Sequence, residues 1–212
     1  MSADLEIASR AFGTFLYHTS KMSTIADLRA ATWPSHQKLE KRLDIKTRFS
    51  TLPAYRIHLE RMWGFCAMLE SLVEPLVRDA LCDFESRRKL PLLTRDLIAT
   101  GSDPASVERL PRMMPLEACR DTAGGFGCLY VLEGATLGGR TLLPRVRLTL
   151  GLAPTHGAEF LASYGERVAL MWRTFGGAVD AWCGDPERSA RARAAAVATF
   201  DCLADWLCRS AA

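Results

Sequence analysis

Three glycines, Gly134, Gly138 and Gly139, lie in an apolar segment that otherwise has the composition of a buried helix. Each glycine in a helix costs about 1 kcal/mol relative to alanine, so bare backbone must serve another purpose there. Gly134 and Gly138 are four residues apart and share one helix face, with Gly139 beside them. Such a face lets a flat ligand approach the main chain, and it also permits a close crossing of two helices. The glycines alone leave both interpretations open.

A histidine lies on an inward-facing helical stripe near the start of the chain. The members of this stripe recur at spacings of three and four residues: Leu28, Thr32, His36 (or Ser35), Leu39 and Leu43. Glu40 follows His36 by one turn, so its carboxylate can orient the imidazole. A buried neutral imidazole is a suitable ligand for haem iron, and it is equally compatible with a hydrogen-bonded core residue.

The remaining histidines are weaker candidates for metal ligation. His18 lies near the N-terminus, His58 lies within a long helical pattern, and His156 lies at an expected helix start. A di-iron carboxylate site in a helix bundle would require two Glu-x-x-His motifs. No glutamate of this chain has a histidine three residues later, so the sequence excludes that class of site.

Hydrophobic periodicity is helical almost everywhere, and strand alternation is missing, which predicts an all-α fold. One long amphipathic helix is expected from about residue 52 to 76, with Pro53 at its first position. Thr24 with Asp27 predicts the start of the histidine-bearing helix, and Pro34 predicts a kink or a new helix start before His36. The other helices are expected near 86–99, 104–109, 115–150 with a break at the glycines or Pro144, 156–183 and 187–208.

The composition restricts the class of protein. The 212 residues suit one domain, and 27 basic against 24 acidic residues are too balanced to indicate a nucleic-acid partner. Seven cysteines without a C-x-x-C pair indicate reduced thiols and a cytoplasmic protein. No membrane span or secretory signal is expected. Residues 1–22 are less regularly patterned and are interpreted as a partly ordered N-terminal extension, and residues 23–212 as the domain.

Three segments resemble the haem oxygenases, in particular the bacterial, biliverdin-producing branch often associated with bacteriophytochromes. They are residues 28–32 with His36 and Glu40, residues 87–93, and residues 127–140. The resemblance continues through Tyr164-Gly165, Trp172 and Phe175 to the closing Phe200, Leu203, Trp206 and Leu207. It covers about residues 24–208, and the glycine segment is its most specific part.

The resemblance implies a single-domain helical bundle in which haem lies between a proximal helix and a glycine-kinked distal helix. His36 would ligate the iron, Glu40 would support it, and Arg29 would lie near the haem propionates. The three glycines would bring bare backbone to the distal side and steer bound dioxygen toward one meso carbon. Thr136 is expected among the cofactor-binding residues. Ala135 departs from many haem oxygenases, which carry an aspartate that organises distal water at this position.

The implied reaction is oxidative cleavage of haem to biliverdin, carbon monoxide and ferrous iron. Haem would be both cofactor and substrate, dioxygen would be the oxidant, and electrons would come from an external ferredoxin or reductase. Two alternatives remain: a non-catalytic haem carrier or sensor of the same fold, and a helical interaction module. The last leaves His36 and the glycines unexplained.

Overall fold

The apolar stripes of the sequence form helices throughout residues 23–209, which are the residues that the structure, a computed structural model, describes. No β-strand is formed within this range, as the hydrophobic periodicity predicted. The predicted extension, residues 1–22, lies outside the described residues. The helices are α1 Thr24–Arg42, α2 Ile45–Arg48, α3 Leu52–Val77, α4 Phe84–Arg87, α5 Leu90–Ala99, α6 Pro104–Glu108, α7 Thr122–Leu150, α8 Glu159–Ala162, α9 Val168–Cys183 and α10 Pro186–Leu207, with a 3₁₀ turn at Gly165–Arg167.

Helix α1 carries the histidine stripe and is continuous through Pro34. The predicted new helix start before His36 is therefore wrong, because packing of α1 against α9 and α10 outweighs the one hydrogen bond that the proline ring removes. The cap also lies one residue earlier than predicted. Ser23 Oγ accepts a hydrogen bond from the Ala26 amide at 3.3 Å, and the Thr24 hydroxyl instead donates to the Cys183 carbonyl.

Helix α3 is the predicted long helix and forms one wall of the bundle, against α5, α7 and α10. Thr51 caps it by accepting from the Ala54 amide, so Pro53 is the second helical residue rather than the first. A proline is tolerated in the first turn because its missing N–H would have no partner inside the helix.

Helix α7 carries the glycines and lies at the centre of the fold, against α3, α8, α9 and α10. Its 29 residues are continuous, so the break predicted at the glycines or Pro144 is wrong. Tertiary contacts on several sides hold the helix where its own propensity is weak. It begins at Thr122, later than predicted, where Asp121 accepts from the Gly124 amide at 2.7 Å. It ends at Leu150, and the following Gly151 caps it with a φ of 68°, a left-handed conformation that favours glycine.

Two predicted helices are each divided. The segment near 86–99 forms α4 and α5, and the segment near 156–183 forms α8, the 3₁₀ turn and α9. Among the described residues, no helix is both long and apolar enough to cross a membrane.

Candidate functional site

A cavity lies between α1 and the glycine-bearing part of α7, with walls from α3, α8 and α10. It encloses about 920 Å³ of empty space, part of it open to solvent. Ligand cavities are typically mostly apolar, with a few well-placed polar groups. The lining residues are mainly apolar: His36, Leu39, Glu40, Leu43, Ile45, His58, Met62, Val131, Gly134, Ala135, Gly138, Gly139, Thr141, Leu142, Phe160, Leu161, Phe200, Leu203 and Leu207.

His36 and Glu40 lie together on the α1 wall, as the sequence predicted. His36 Nδ1 is 3.7 Å from Glu40 Oε1, and the two side chains are 15% and 18% exposed. Burial lowers the pKa of His36 and raises the pKa of Glu40. Because burial disfavours the protonated imidazole, His36 is held in the neutral form that a metal ligand needs.

Two aromatic rings hold the His36 imidazole in place. The Trp33 ring is stacked on it, with centroids 5.9 Å apart and planes 8° apart. The Phe200 ring meets it edge-on at 5.7 Å. These contacts come from α1 itself and from α10, so the orientation of His36 depends on tertiary packing as well as on Glu40.

The sequence left two interpretations of the α7 glycines open: approach of a flat ligand, or close packing of another helix. The structure supports a different one at Gly138 and at Gly139. Gly134, Gly138 and Gly139 all line the cavity. A β-carbon built on Gly138 would meet no atom within 4 Å, whereas one on Gly139 would lie 3.0 Å from the Leu161 carbonyl oxygen. Gly139 therefore permits the close approach of α8, and Gly138 leaves open space beside the helix.

Two other predicted residues are not among those that line the cavity. Thr136 is buried within α7, and its hydroxyl donates to the Glu133 carbonyl at 2.6 Å. Arg29 is half-buried on α1, seven residues before His36. Its proposed contact with a haem propionate stays a prediction.

His58 lines the cavity, although sequence analysis ranked it only among the weaker candidates for metal ligation. It lies on α3 among core residues and is 8% exposed. Its ring is 4.9 Å from the Phe49 ring, and burial lowers its pKa to about 3. The spacing from Tyr55 to Met62 predicts that position 58 lies near the buried face of α3. The charged residues Arg56 and Glu60, each two positions from His58, made this pattern hard to recognise.

Asp96 positions the α8 wall of the cavity. Its two carboxylate oxygens accept hydrogen bonds from the amides of Glu159 and Phe160, each at 2.8 Å. Burial raises the pKa of Asp96 to about 6. These contacts fix the start of α8, whose Phe160 and Leu161 then reach the cavity.

A buried charged network lies behind the cavity wall, centred on Glu133 of α7. Arg87 donates to Glu133 Oε2 at 3.0 Å, and the Tyr164 hydroxyl donates to Oε1 at 2.6 Å. Lys89 Nζ is 3.8 Å from the same Oε1 and lies over the Tyr164 ring. Burial lowers the pKa of Lys89 to about 8. Glu133 directly precedes Gly134, so this network holds α7 in place where it forms the cavity.

The polar residues of the cavity suit a metal ion that is already coordinated by an organic ring. Within residues 23–209 no group of three or more His, Cys, Asp or Glu side chains could hold a metal ion. The cavity offers one oriented histidine on α1, open space at Gly138 of α7, and apolar walls. These features fit the iron and the flat apolar macrocycle of haem.

The chain also has relatives in sequence and structure. The family model described as heme oxygenase matches residues 22–209. The NO- and CO-bound heme oxygenase from Neisseria meningitidis has a TM-score of 0.75 and 21% identity, covering 88% of this chain and 91% of that chain. The heme oxygenase from Leptospira interrogans has a TM-score of 0.69 and 18% identity, covering 88% and 99%. Comparison with curated proteins gives no match. With nearly its whole length matched by the family model, the chain belongs to the haem oxygenase family.

Proposed function

We propose that the protein binds haem in the cavity between α1 and α7 and cleaves it to biliverdin, carbon monoxide and ferrous iron. The observation that carries this proposal is the placement of His36 and Gly138 on two different walls of one apolar cavity. When bound, haem supplies the dioxygen chemistry and is also the molecule that is degraded.

Each wall of the cavity has a separate task in this proposal. Neutral His36 ligates the iron, while Glu40 and the Trp33 and Phe200 rings fix the orientation of the imidazole. The open space at Gly138 admits a small ligand beside α7. The apolar side chains of α8 and α10 exclude bulk water, which protects a reactive site from side reactions.

The electrons would come from an external ferredoxin or reductase. Of the exposed charged residues next in sequence to cavity-lining positions, Lys38, Lys41, Arg42, Lys46 and Arg140 are basic and Asp44 is acidic. We propose that an acidic redox protein docks through these basic side chains. Reduction by such a donor should then slow as salt concentration rises, because surface charges are screened.

A haem carrier or sensor is the second candidate, and Ala135 is the observation that favours it. This residue lines the cavity with a methyl group, which can neither donate nor accept a hydrogen bond. A carrier would bind haem through the same residues without turning it over.

One experiment separates the two functions. Purified protein is titrated with hemin and then given ascorbate or a ferredoxin system under air, while visible spectra are recorded. We expect a Soret band that appears on binding and then decays as biliverdin absorption grows. A stable Soret band under reducing conditions would support the carrier, and no Soret band would reject both functions.

A further inference from the structure

The second histidine of the cavity has no task in the function proposed above. His58 lines the same cavity as His36 and is 8% exposed. Its Nδ1 atom is buried and has no hydrogen-bond partner. Buried polar atoms are normally paired, so an unpaired one in a cavity wall requires an explanation.

The surroundings of His58 determine the form of its ring. The Phe49 ring packs against it, Arg48 adds a nearby positive charge, and burial together with that charge lowers its pKa to about 3. The imidazole is therefore neutral near pH 7 and carries one proton. A proton on Nδ1 would be a buried donor without an acceptor, which is rarer than an unpaired acceptor. The proton consequently belongs on Nε2, and Nε2–H is the donor that His58 can offer.

His58 reaches the cavity from the α7 side. Helix α3, which carries it, packs along α7 and α10, whereas His36 projects from α1. The buried side chains one turn away on its own helix are Tyr55, whose hydroxyl already donates to the Gly157 carbonyl, and apolar Met62. Arg61, also one turn away, lies over the Trp206 ring. Neighbouring Ala135 of α7 lines the cavity with a methyl group. His58 is therefore a polar group in an otherwise apolar part of the wall.

We propose that His58 donates a hydrogen bond from Nε2–H to the small ligand of the haem iron. This inference rests on haem binding in the cavity, as proposed above. The ligand is a water molecule in ferric protein and a diatomic gas in ferrous protein, and both offer an acceptor to the same N–H group. His58 thereby supplies the polar contact that the methyl group of Ala135 cannot.

The test uses carbon monoxide on ferrous haem as the probe, because its stretching frequency falls when a donor approaches its oxygen. His58→Phe keeps an aromatic ring and removes the donor. His58→Gln keeps an N–H group near the position of Nε2, and His58→Asn places its amide near Nδ1 instead. Met62→Leu is the matched control, since it changes the same wall without changing its polarity.

We expect His58→Phe to raise the stretching frequency above that of the wild type, His58→Gln to restore it at least in part, and His58→Asn and Met62→Leu not to imitate these effects. The wild-type frequency should also shift in deuterated water, and this shift should vanish in His58→Phe. The melting temperature of the apo-protein at pH 7 should not fall in His58→Phe, because the change removes an unpaired buried polar atom.

Two results would overturn the inference alone: equal frequencies in wild type and His58→Phe with no isotope shift, or an equal shift in Met62→Leu. If His58→Phe lowers the melting temperature, His58→Gln and His58→Asn decide the question, because only the glutamine should keep the low frequency and its isotope shift. A wild-type protein that gives no Soret band with hemin would overturn haem binding and this inference together, so the two failures are distinguishable.

Discussion

Nδ1 of His36 faces Oε1 of Glu40 across 3.7 Å, one turn further along the same helix. In the proposed complex Nε2 would ligate the iron, because the Glu40 carboxylate lies on the side of Nδ1. A carboxylate at this position makes the imidazole a stronger electron donor and fixes its ring orientation. The pair therefore links the α1 sequence directly to the proposed properties of the bound iron.

Glu40→Gln tests this relationship. The amide keeps the shape of the side chain but removes its negative charge, so the imidazole becomes a weaker ligand. We expect haem affinity to fall about 10-fold, as is typical for the loss of a partner of a metal ligand, and the haem reduction potential to rise. Hemin titration and spectroelectrochemistry measure the two effects. Glu117→Gln, at a side chain that is 93% exposed, should change neither.

His36→Ala tests the ligand itself. The change removes the only imidazole on the α1 wall of the cavity, while the apolar walls remain and retain some loosely held haem. We expect biliverdin formation to be lost and to return in part with added imidazole. His156→Ala, at an exposed histidine outside the cavity lining, is the control. Undiminished biliverdin formation in His36→Ala without imidazole would contradict the assignment.

The sequence predicted the parts of this site that follow from spacing along one helix. The stripe through His36 and Glu40 and the face shared by Gly134 and Gly138 both depend only on helical geometry. The network around Glu133 could not be predicted in this way. Its partners Arg87 and Tyr164 are 46 and 31 residues away, and they reach Glu133 only through the tertiary fold.

Tyr164→Phe tests the contribution of that network to stability. The Tyr164 hydroxyl donates to buried, charged Glu133, so its loss should lower the free energy of unfolding by about 1.5–3 kcal/mol. Tyr55→Phe is the matched control, because its hydroxyl donates to the neutral Gly157 carbonyl at 3.0 Å and should contribute only about 0.5–1.5 kcal/mol. Denaturant unfolding of the apo-proteins measures both losses. Equal losses would contradict the special role of the charged acceptor.

His58 should make the apo-protein sensitive to acid. Its pKa is about 3 in the folded protein, against 6.5 for an ordinary histidine, so the unfolded chain binds a proton that the folded protein rejects. His58 therefore destabilises the fold as pH falls from about 6.5 toward 3, by at most about 1.4 kcal/mol per pH unit. We expect His58→Phe to lose less stability over this range than wild type, measured by urea unfolding. His156→Phe should follow the wild type, since His156 is exposed.

Gly138 and Gly139 are neighbours on α7 with different surroundings, and substitutions at the two positions should separate packing from haem chemistry. A β-carbon at Gly138 meets nothing within 4 Å, so Gly138→Ala should stabilise the apo-protein by about 1 kcal/mol through helix propensity. A β-carbon at Gly139 would press on the Leu161 backbone, from 3.0 Å to its carbonyl oxygen. Gly139→Ala should therefore show less than this gain, or a loss.

Leucine substitutions at the same two positions test haem binding and product formation as well as stability. Gly139→Leu should overpack the contact with α8 and cost about 1–3 kcal/mol in both apo and haem-bound protein. Gly138→Leu should leave the apo-protein melting nearly as before, because its side chain enters open space, and should instead lower haem affinity or change the proportions of the biliverdin isomers. Apo and haem-bound melting, hemin titration and product analysis distinguish the two outcomes. If both variants destabilised apo and haem-bound protein equally, with normal haem chemistry in the folded fraction, Gly138 would be a packing residue like Gly139.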